Sequence, residues 1–211
     1  MIHLILGGAR SGKSSFAETW CLEHQKRAGN IEHKGLFYLA TATFSDAEML
    51  SRIEKHQQQR AKHWRLIECP LALGDELLLA RESLSNMPHK TVPLYLIDCL
   101  TLWLNNVLFE LGDDANSDRI QKSVDSFMNV IAQFSSAHAS DIDIVLVANE
   151  VGLGVIPMGE VSRLFVDHAG WLNQRLAQLA DKVTFIAAGL PMQLKPTLSV
   201  MSEPLIDNAA E

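Results

Sequence analysis

The chain has little of what marks several large protein classes. Its 211 residues include three cysteines, Cys21, Cys69 and Cys99. They are widely spaced and form no C-x-x-C pair, which argues against a disulfide framework or a zinc site and fits a reducing cytoplasm. Basic charge is not in excess. The formal net charge is −7, so the surface as a whole is not built to hold nucleic acid. No apolar run reaches membrane length, since the longest candidate, 94–109, carries Asp98, Asn105 and Asn106. Gly7 interrupts the N-terminal apolar stretch before it could serve as a signal peptide. Internal repeats and low-complexity segments are missing too. The remaining class is a soluble cytoplasmic protein, of ordinary composition at 47% hydrophobic and 20% charged. One domain is expected over residues 1–190, with a peripheral tail over 191–211.

What is present begins at once. Gly7-Gly8-Ala9-Arg10-Ser11-Gly12-Lys13-Ser14 satisfies G-x-x-x-x-G-K-[ST] at every fixed position. An apolar run, Ile2 to Leu6, precedes it with His3 as its one polar interruption. A helical pattern follows over 14–27, with Phe16, Trp20 and Cys21 at helical spacing. Glycines let the backbone wrap a polyphosphate with its N–H groups inward, and the helix aims its positive end at the same phosphates. Lys13 is then expected on the β and γ phosphates, and the Ser14 hydroxyl on Mg²⁺. A nucleoside triphosphate is the expected ligand.

Further along, strand and helix patterns alternate. Strands are expected over 35–40, 63–68, 94–98, 142–148 and 183–188. Helices are expected over 46–61, 71–84, 100–111, 117–137 and 162–180. Alternation of this kind gives an α/β fold, a mainly parallel sheet with helices on both faces. Leu94-Tyr95-Leu96-Ile97-Asp98 has the shape of a strand whose terminal carboxylate assists Mg²⁺. Thr41-Ala42-Thr43 follows the second strand, at the strand end where ligands gather in such sheets. Beyond Gly189, Pro191, Pro196 and Pro204 break regular patterns, so a peripheral strand or loose end is expected there. A phosphate loop leaves many classes open, but a GTPase should carry N-K-x-D and none is present. A small-molecule kinase is the default. A nucleotide-regulated binding module is the alternative from another class.

One family resembles this chain block by block. The Gly-Gly-Ala-Arg-Ser-Gly-Lys-Ser start is followed by 38–43, by Asp46-Ala47-Glu48-Met49 with Arg52-Ile53-x-x-His56, and by Arg60-x-x-His63-Trp64 with Glu68. Then come Asp98-Cys99-Leu100-Thr101-Leu102-Trp103-Leu104, Asn149-Glu150-Val151-Gly152-Leu153-Gly154 with Pro157, and Asp167-x-Ala169-Gly170-x-x-Asn173-Gln174. In this order they resemble the bifunctional adenosylcobinamide kinase/adenosylcobinamide-phosphate guanylyltransferase family of cobalamin biosynthesis. The resemblance implies a P-loop NTPase fold similar to that of recombination ATPases, and a homotrimer. It implies two reactions. A nucleoside triphosphate, ATP or GTP, phosphorylates the aminopropanol hydroxyl of adenosylcobinamide. GTP then transfers GMP to an enzyme histidine, and adenosylcobinamide phosphate collects it as adenosylcobinamide-GDP.

The same resemblance assigns residues. By its place three residues after Ile53 in Arg-Ile-x-x-His, the family's covalent histidine maps to His56; neutral imidazole is a competent nucleophile, and dividing a transfer in two is ordinary covalent catalysis. Taken alone, a helix histidine is more often a hydrogen-bonded core group. Gly7 to Ser14 would hold the triphosphate, with Thr41, Ala42, Thr43, Gln57, Gln58, Gln59, Arg60, Glu68 and Asp98 completing the GTP site. Glu68 could accept the guanine N1–H and N2–H₂ pair. Arg10 and Arg60 could neutralise phosphate charge, or be solvated surface residues. Lys55 could help hold the imidazole of His56 neutral, and His63 would be structural beside Trp64. A plain kinase that needs neither His56 nor a covalent adduct stays open as the rival enzyme.

Overall fold

The computed structural model describes residues 1–29, 35–43, 64–84, 92–135 and 142–196. The expected helix over 46–61, with His56, Gln57, Gln58, Gln59 and Arg60, and also His63, lies outside these residues.

The described chain runs β1 (Ile2–Gly7), α1 (Lys13–Arg27), β2 (Leu36–Ala40), β3 (Arg65–Glu68), α2 (Leu73–Leu84), β4 (Leu94–Asp98), α3 (Leu100–Leu111), α4 (Ser117–Ala132), β5 (Asp143–Asn149), α5 (Glu160–Leu179), β6 (Lys182–Ala187) and β7 (Leu190–Lys195). The strands form one sheet in the order β3-β2-β4-β5-β1-β6-β7. All pairs are parallel except β6 with β7. Strands covered on both faces need apolar side chains on both, which is why β1 is buried throughout and β4 and β5 read as continuous apolar runs.

The alternation of side chains divides the core. Ile2, Leu4 and Leu6 of β1 pack with Ile97, Ile144, Leu146 and the apolar faces of α2 to α5. Ile5 points the other way, with Tyr38, Leu96, Val145 and Val147, against Ala17 and Cys21 of α1. The polar interruption at His3 is accommodated in the interior. Its Nε2 lies 2.9 Å from Thr184 Oγ1, and its ring meets Trp20 edge-on.

This topology fixes where a ligand can bind. The connection from β1 runs through α1 on one face toward β2. The connection from β5 runs through α5 on the opposite face toward β6. Neighbouring strands whose connections leave in opposite directions open a crevice at their carboxyl ends. Here that crevice lies between the loop after β1 and the loop after β5.

Several element ends shift from expectation, α2 for example starting at Leu73 rather than 71. α4 stops at Ala132, because the N–H groups of Gln133, Phe134 and Ser135 turn to the carbonyls of Val130, Ile131 and Ala132, three residues back. α5 starts at Glu160, two residues before the expected start at 162. Of the two readings offered for the segment after Gly189, residues 190–195 form the peripheral strand, at the edge of the sheet. Ala188 (φ 51°) and Gly189 (φ 80°) are both left-handed, as a two-residue hairpin turn requires.

Candidate active site

The loop from Gly8 to Gly12 joins β1 to α1. Gly7 ends the strand under tight contact: a Cβ there would lie 2.5 Å from Ser11 Oγ and 2.7 Å from the Ile186 carbonyl. Arg10 (φ 57°) and Gly12 (φ 92°) are left-handed. Such turns bring successive backbone N–H groups to one concave side, a shape that receives anions. α1 then starts at Lys13 with no acidic residue in its first turn, so its positive end is not neutralised. Lys13 is buried, with Nζ donating to the Gly8 carbonyl at 3.1 Å inside the loop's own ring. Ser14 is half-buried, while Ala9 and Arg10 are exposed. The β6–β7 turn braces the loop from outside, since the Gly189 N–H donates to the Ser11 carbonyl at 2.8 Å.

Asp98 lies at the end of β4, two strands from β1, about 10 Å across the sheet at roughly 4.8 Å per strand. Tyr38 donates its hydroxyl to Asp98 Oδ2 at 2.8 Å, fixing the carboxylate. Burial, and next the charge of Asp98, push the neighbouring Cys99 thiol up to about 12. The ammonium of Lys13 acts on the same thiol in the opposite sense, so the loop lysine lies within electrostatic reach of the Asp98–Cys99 corner. The two motifs, 85 positions apart in sequence, thus lie at the same carboxyl edge of the parallel sheet, with β5 between their strands.

Thr41 supports that corner. It is fully buried, and its hydroxyl both donates to the Cys99 carbonyl and accepts the Cys99 N–H, each at 2.8 Å. Its side chain is therefore committed to the protein, which leaves half-buried Ala42 and exposed Thr43 as the open part of that stretch. Glu68 is exposed at the end of edge strand β3, four strand spacings or about 19 Å from β1. The described residues do not bring it to the phosphate loop.

Several residues that organise this edge had no role assigned from sequence. Asn106 on α3 donates its amide to the Thr41 carbonyl at 2.7 Å and the Pro70 carbonyl at 3.0 Å, tying two loops to the helix. Thr101 Oγ1 accepts the Asn149 N–H at 2.6 Å, and the Asn173 amide reaches the Asn149 carbonyl at 3.2 Å. Glu150 follows, with its N–H on the Gly7 carbonyl at 3.1 Å. All but Asn106 fall within the blocks that carry the family resemblance, yet no local pattern gave them a role.

The donor set at this edge fits Mg²⁺. A hydroxyl (Ser14) and a carboxylate (Asp98) are hard oxygen ligands, and Mg²⁺ characteristically takes one or two from protein and the rest from phosphate and water. Among the described residues no cluster of three or more His, Cys, Asp or Glu could cage a metal. No described helix is long and apolar enough to cross a membrane.

Comparison with known proteins extends from fold to family. A prototypical ATPase from the type III secretion system of pathogenic bacteria shares the fold at a TM-score of 0.56 and 12% identity, over 91% of this chain and 56% of that one. The architecture is thus a RecA-like P-loop fold. The bifunctional adenosylcobalamin biosynthesis protein CobP of Pseudomonas aeruginosa is 42% identical over 195 residues, covering 92% of this chain and 98% of the relative. The bifunctional adenosylcobalamin biosynthesis protein CobU of Escherichia coli K12 is 34% identical over 198 residues, covering 92% and 100%. The family model described as cobinamide kinase / cobinamide phosphate guanyltransferase matches residues 3–194. With a phosphate loop and the Asp98 strand end at one carboxyl edge of the sheet, and near end-to-end likeness to these proteins, this chain belongs to the cobinamide kinase / cobinamide phosphate guanyltransferase family.

Proposed function

We propose that the chain phosphorylates the aminopropanol hydroxyl of adenosylcobinamide with ATP or GTP. It then moves GMP from GTP through a guanylyl-His56 intermediate onto adenosylcobinamide phosphate, giving adenosylcobinamide-GDP in cobalamin biosynthesis. The observation that carries this reading is the placement of the Lys13 loop and the Asp98 strand end at one carboxyl edge of the sheet, in a chain matched over residues 3–194 by that family.

In this reading the loop amides of 8–13 and the Lys13 ammonium hold the β and γ phosphates and take up charge as the leaving oxygen departs. Ser14 and Asp98 hold Mg²⁺, which supplies charge neutralisation on the phosphates. Ala42 and Thr43, the 57–60 segment with Arg60, and Glu68 complete the GTP site, Thr41 acting through its grip on Cys99. In the first reaction the acceptor oxygen forms a bond to the γ-phosphorus, and the bridging oxygen leaves with the nucleoside diphosphate. In the second, an imidazole nitrogen of His56 bonds to the α-phosphorus and pyrophosphate departs. The corrinoid phosphate then takes the GMP and frees the histidine. We assign the enzyme to the cytoplasm and to a homotrimer.

Labelling tests the covalent step. The protein is incubated with α-labelled GTP and Mg²⁺, denatured, and exposed to acid or alkali, beside His56→Ala. The expected result is a labelled band that acid removes, alkali spares and the variant lacks. A wild-type protein that binds GTP but takes no label leaves a plain kinase, and absence of any transfer to the corrinoid leaves a nucleotide-binding module.

A further inference from the structure

The crevice at the switch between β1 and β5 has two walls. One is the phosphate loop. The other begins at Asn149-Glu150, whose side chains the two transfer reactions above do not use. The position of Glu150 is set by backbone contacts on both sides. Gly7 pairs with Asn149 in the β1–β5 register, so Glu150 stands level with the first turn of the phosphate loop. Its N–H donates to the Gly7 carbonyl at 3.1 Å. Just before it, Asn149 is held by Thr101 from α3 and by Asn173 from α5. The residue thus sits on a fixed platform between two buried elements, the kind of support that catalytic geometry needs.

Its chemistry sets it apart from its surroundings. Glu150 is half-buried, and Oε1 accepts the Gly152 N–H at 2.9 Å, a bond that orients the carboxylate and leaves lone pairs to spare. Among the described residues no lysine, arginine or histidine is paired with it. At the carboxyl ends of the strands beside β1, the choice is narrow. The β6–β7 turn is Ala188-Gly189 and the phosphate loop has no acid, so among the described residues Glu150 is the one carboxylate at the carboxyl ends of the immediate neighbours of β1. Asp98, one strand further, is bound by Tyr38 and committed to the cation side.

The two reactions differ in one proton. A neutral imidazole attacks through an unprotonated nitrogen, and a phosphate acceptor attacks as an anion. The alcohol of the first reaction must lose its proton as the oxygen–phosphorus bond forms. We propose that Glu150 is the general base of the phosphoryl transfer and of that step alone. The acceptor oxygen bonds to the γ-phosphorus and its proton passes to the Glu150 carboxylate. The bond to the bridging oxygen breaks, and that electron pair leaves on the nucleoside diphosphate. Glu150 later releases the proton to solvent. This inference rests on the kinase half of the function proposed above.

Glu150→Gln tests it, because the amide keeps an oxygen for the Gly152 N–H but cannot take up the proton. Each preparation is assayed twice: for transfer from γ-labelled ATP to adenosylcobinamide, and for labelling by α-labelled GTP without corrinoid. We expect kcat for phosphorylation to fall by about 10²–10⁴-fold with KM for the nucleotide within ~3-fold, the range ascribed to a lost general base. Guanylyl labelling should stay within ~3-fold of wild type, and Glu150→Asp should recover part of the kinase rate. Phosphorylation within ~5-fold of wild type would overturn the assignment, and so would a parallel fall of both activities with raised nucleotide KM, the mark of a disturbed loop. If wild type takes no label, the covalent reading fails on its own. The kinase assay, with nucleotide affinity as the check on folding, still decides the role of Glu150.

Discussion

Two neighbouring glycines in the phosphate loop do different work. At Gly7 a methyl group would meet Ser11 Oγ at 2.5 Å and the Ile186 carbonyl at 2.7 Å, and the latter is backbone of a core strand that cannot yield. At Gly8 nothing lies within 4 Å. Gly7→Ala should therefore lower stability by about 1–3 kcal/mol, the usual cost of overpacking, and weaken nucleotide binding. Gly8→Ala should unfold within ~0.5 kcal/mol of wild type, as ordinary surface substitutions do. Denaturant midpoints with a fluorescent nucleotide titration check both, and equal effects would contradict the distinction. The motif itself was legible from spacing alone, because a phosphate cradle is a local structure of eight consecutive residues. That Gly7 is held by Ile186 was not legible, because that contact joins positions 179 apart.

At the scale of elements, the β6–β7 hairpin is the unexpected support. Its turn places Ala188 at φ 51°, a conformation that strains a residue with a Cβ, and holds Ser11 through the Gly189 N–H. Asn tolerates that conformation, so Ala188→Asn should stabilise the protein by about 0.5–1 kcal/mol, an amount similar to other substitutions that relieve the backbone. Thermal unfolding would show a rise of roughly 1–4 °C for a chain of this size. A fall would mean that the side chain collides with the phosphate loop. The sequence obscured this hairpin because Ala-Gly is a weak turn signal beside Asn-Gly, and because Pro191 left a peripheral strand and a loose end both open. Edge position resolves the second point. β7 pairs on one side only, with β6, so a residue without an N–H is tolerated there. Lys195 ties the strand's end to α5, its Nζ donating to the carbonyls of Ala177 at 3.1 Å and Gln178 at 2.9 Å.

Over the whole molecule, pH dependence follows from the edge of the sheet opposite the site. Burial, then the nearby charges of Lys182 and His24, lower the pKa of His3 from 6.5 to about 4. The folded state keeps His3 neutral where the unfolded chain would protonate it. Stability from this group is thus complete above pH 6.5 and is lost as pH falls from 6.5 toward 4. The loss should amount to roughly 2–3 kcal/mol, since each tenfold change in proton affinity is worth about 1.4 kcal/mol. Asp143 adds to it at lower pH. Burial alone would raise its carboxyl, but bonds from His24 and the N-terminal ammonium outweigh that and hold it below its usual range. Urea unfolding at pH 7, 5.5 and 4.5 should show a steady loss for wild type and a flatter profile for His3→Gln. Parallel profiles would remove His3 as the cause.

The amino-acid sequence by itself determined whatever depends on neighbours along the chain. The apolar runs set the buried strands, the helical spacing of Ile120, Val124, Phe127 and Ile131 set the inner face of α4, and the glycine pattern set the phosphate loop. It also gave Asp98 as a strand-end carboxylate. Tertiary structure alone decided strand order, and with it which ends share a crevice. It placed β5 beside β1, so that Glu150 stands level with the loop, and β3 at the far edge, so that Glu68 stands about 19 Å away at ~4.8 Å per strand. It also turned the Thr41 hydroxyl inward onto Cys99. The physical reason is common to all three. Periodicity reports which side of an element is buried, whereas strand neighbours are chosen by packing the whole core at once, and no local pattern encodes that choice.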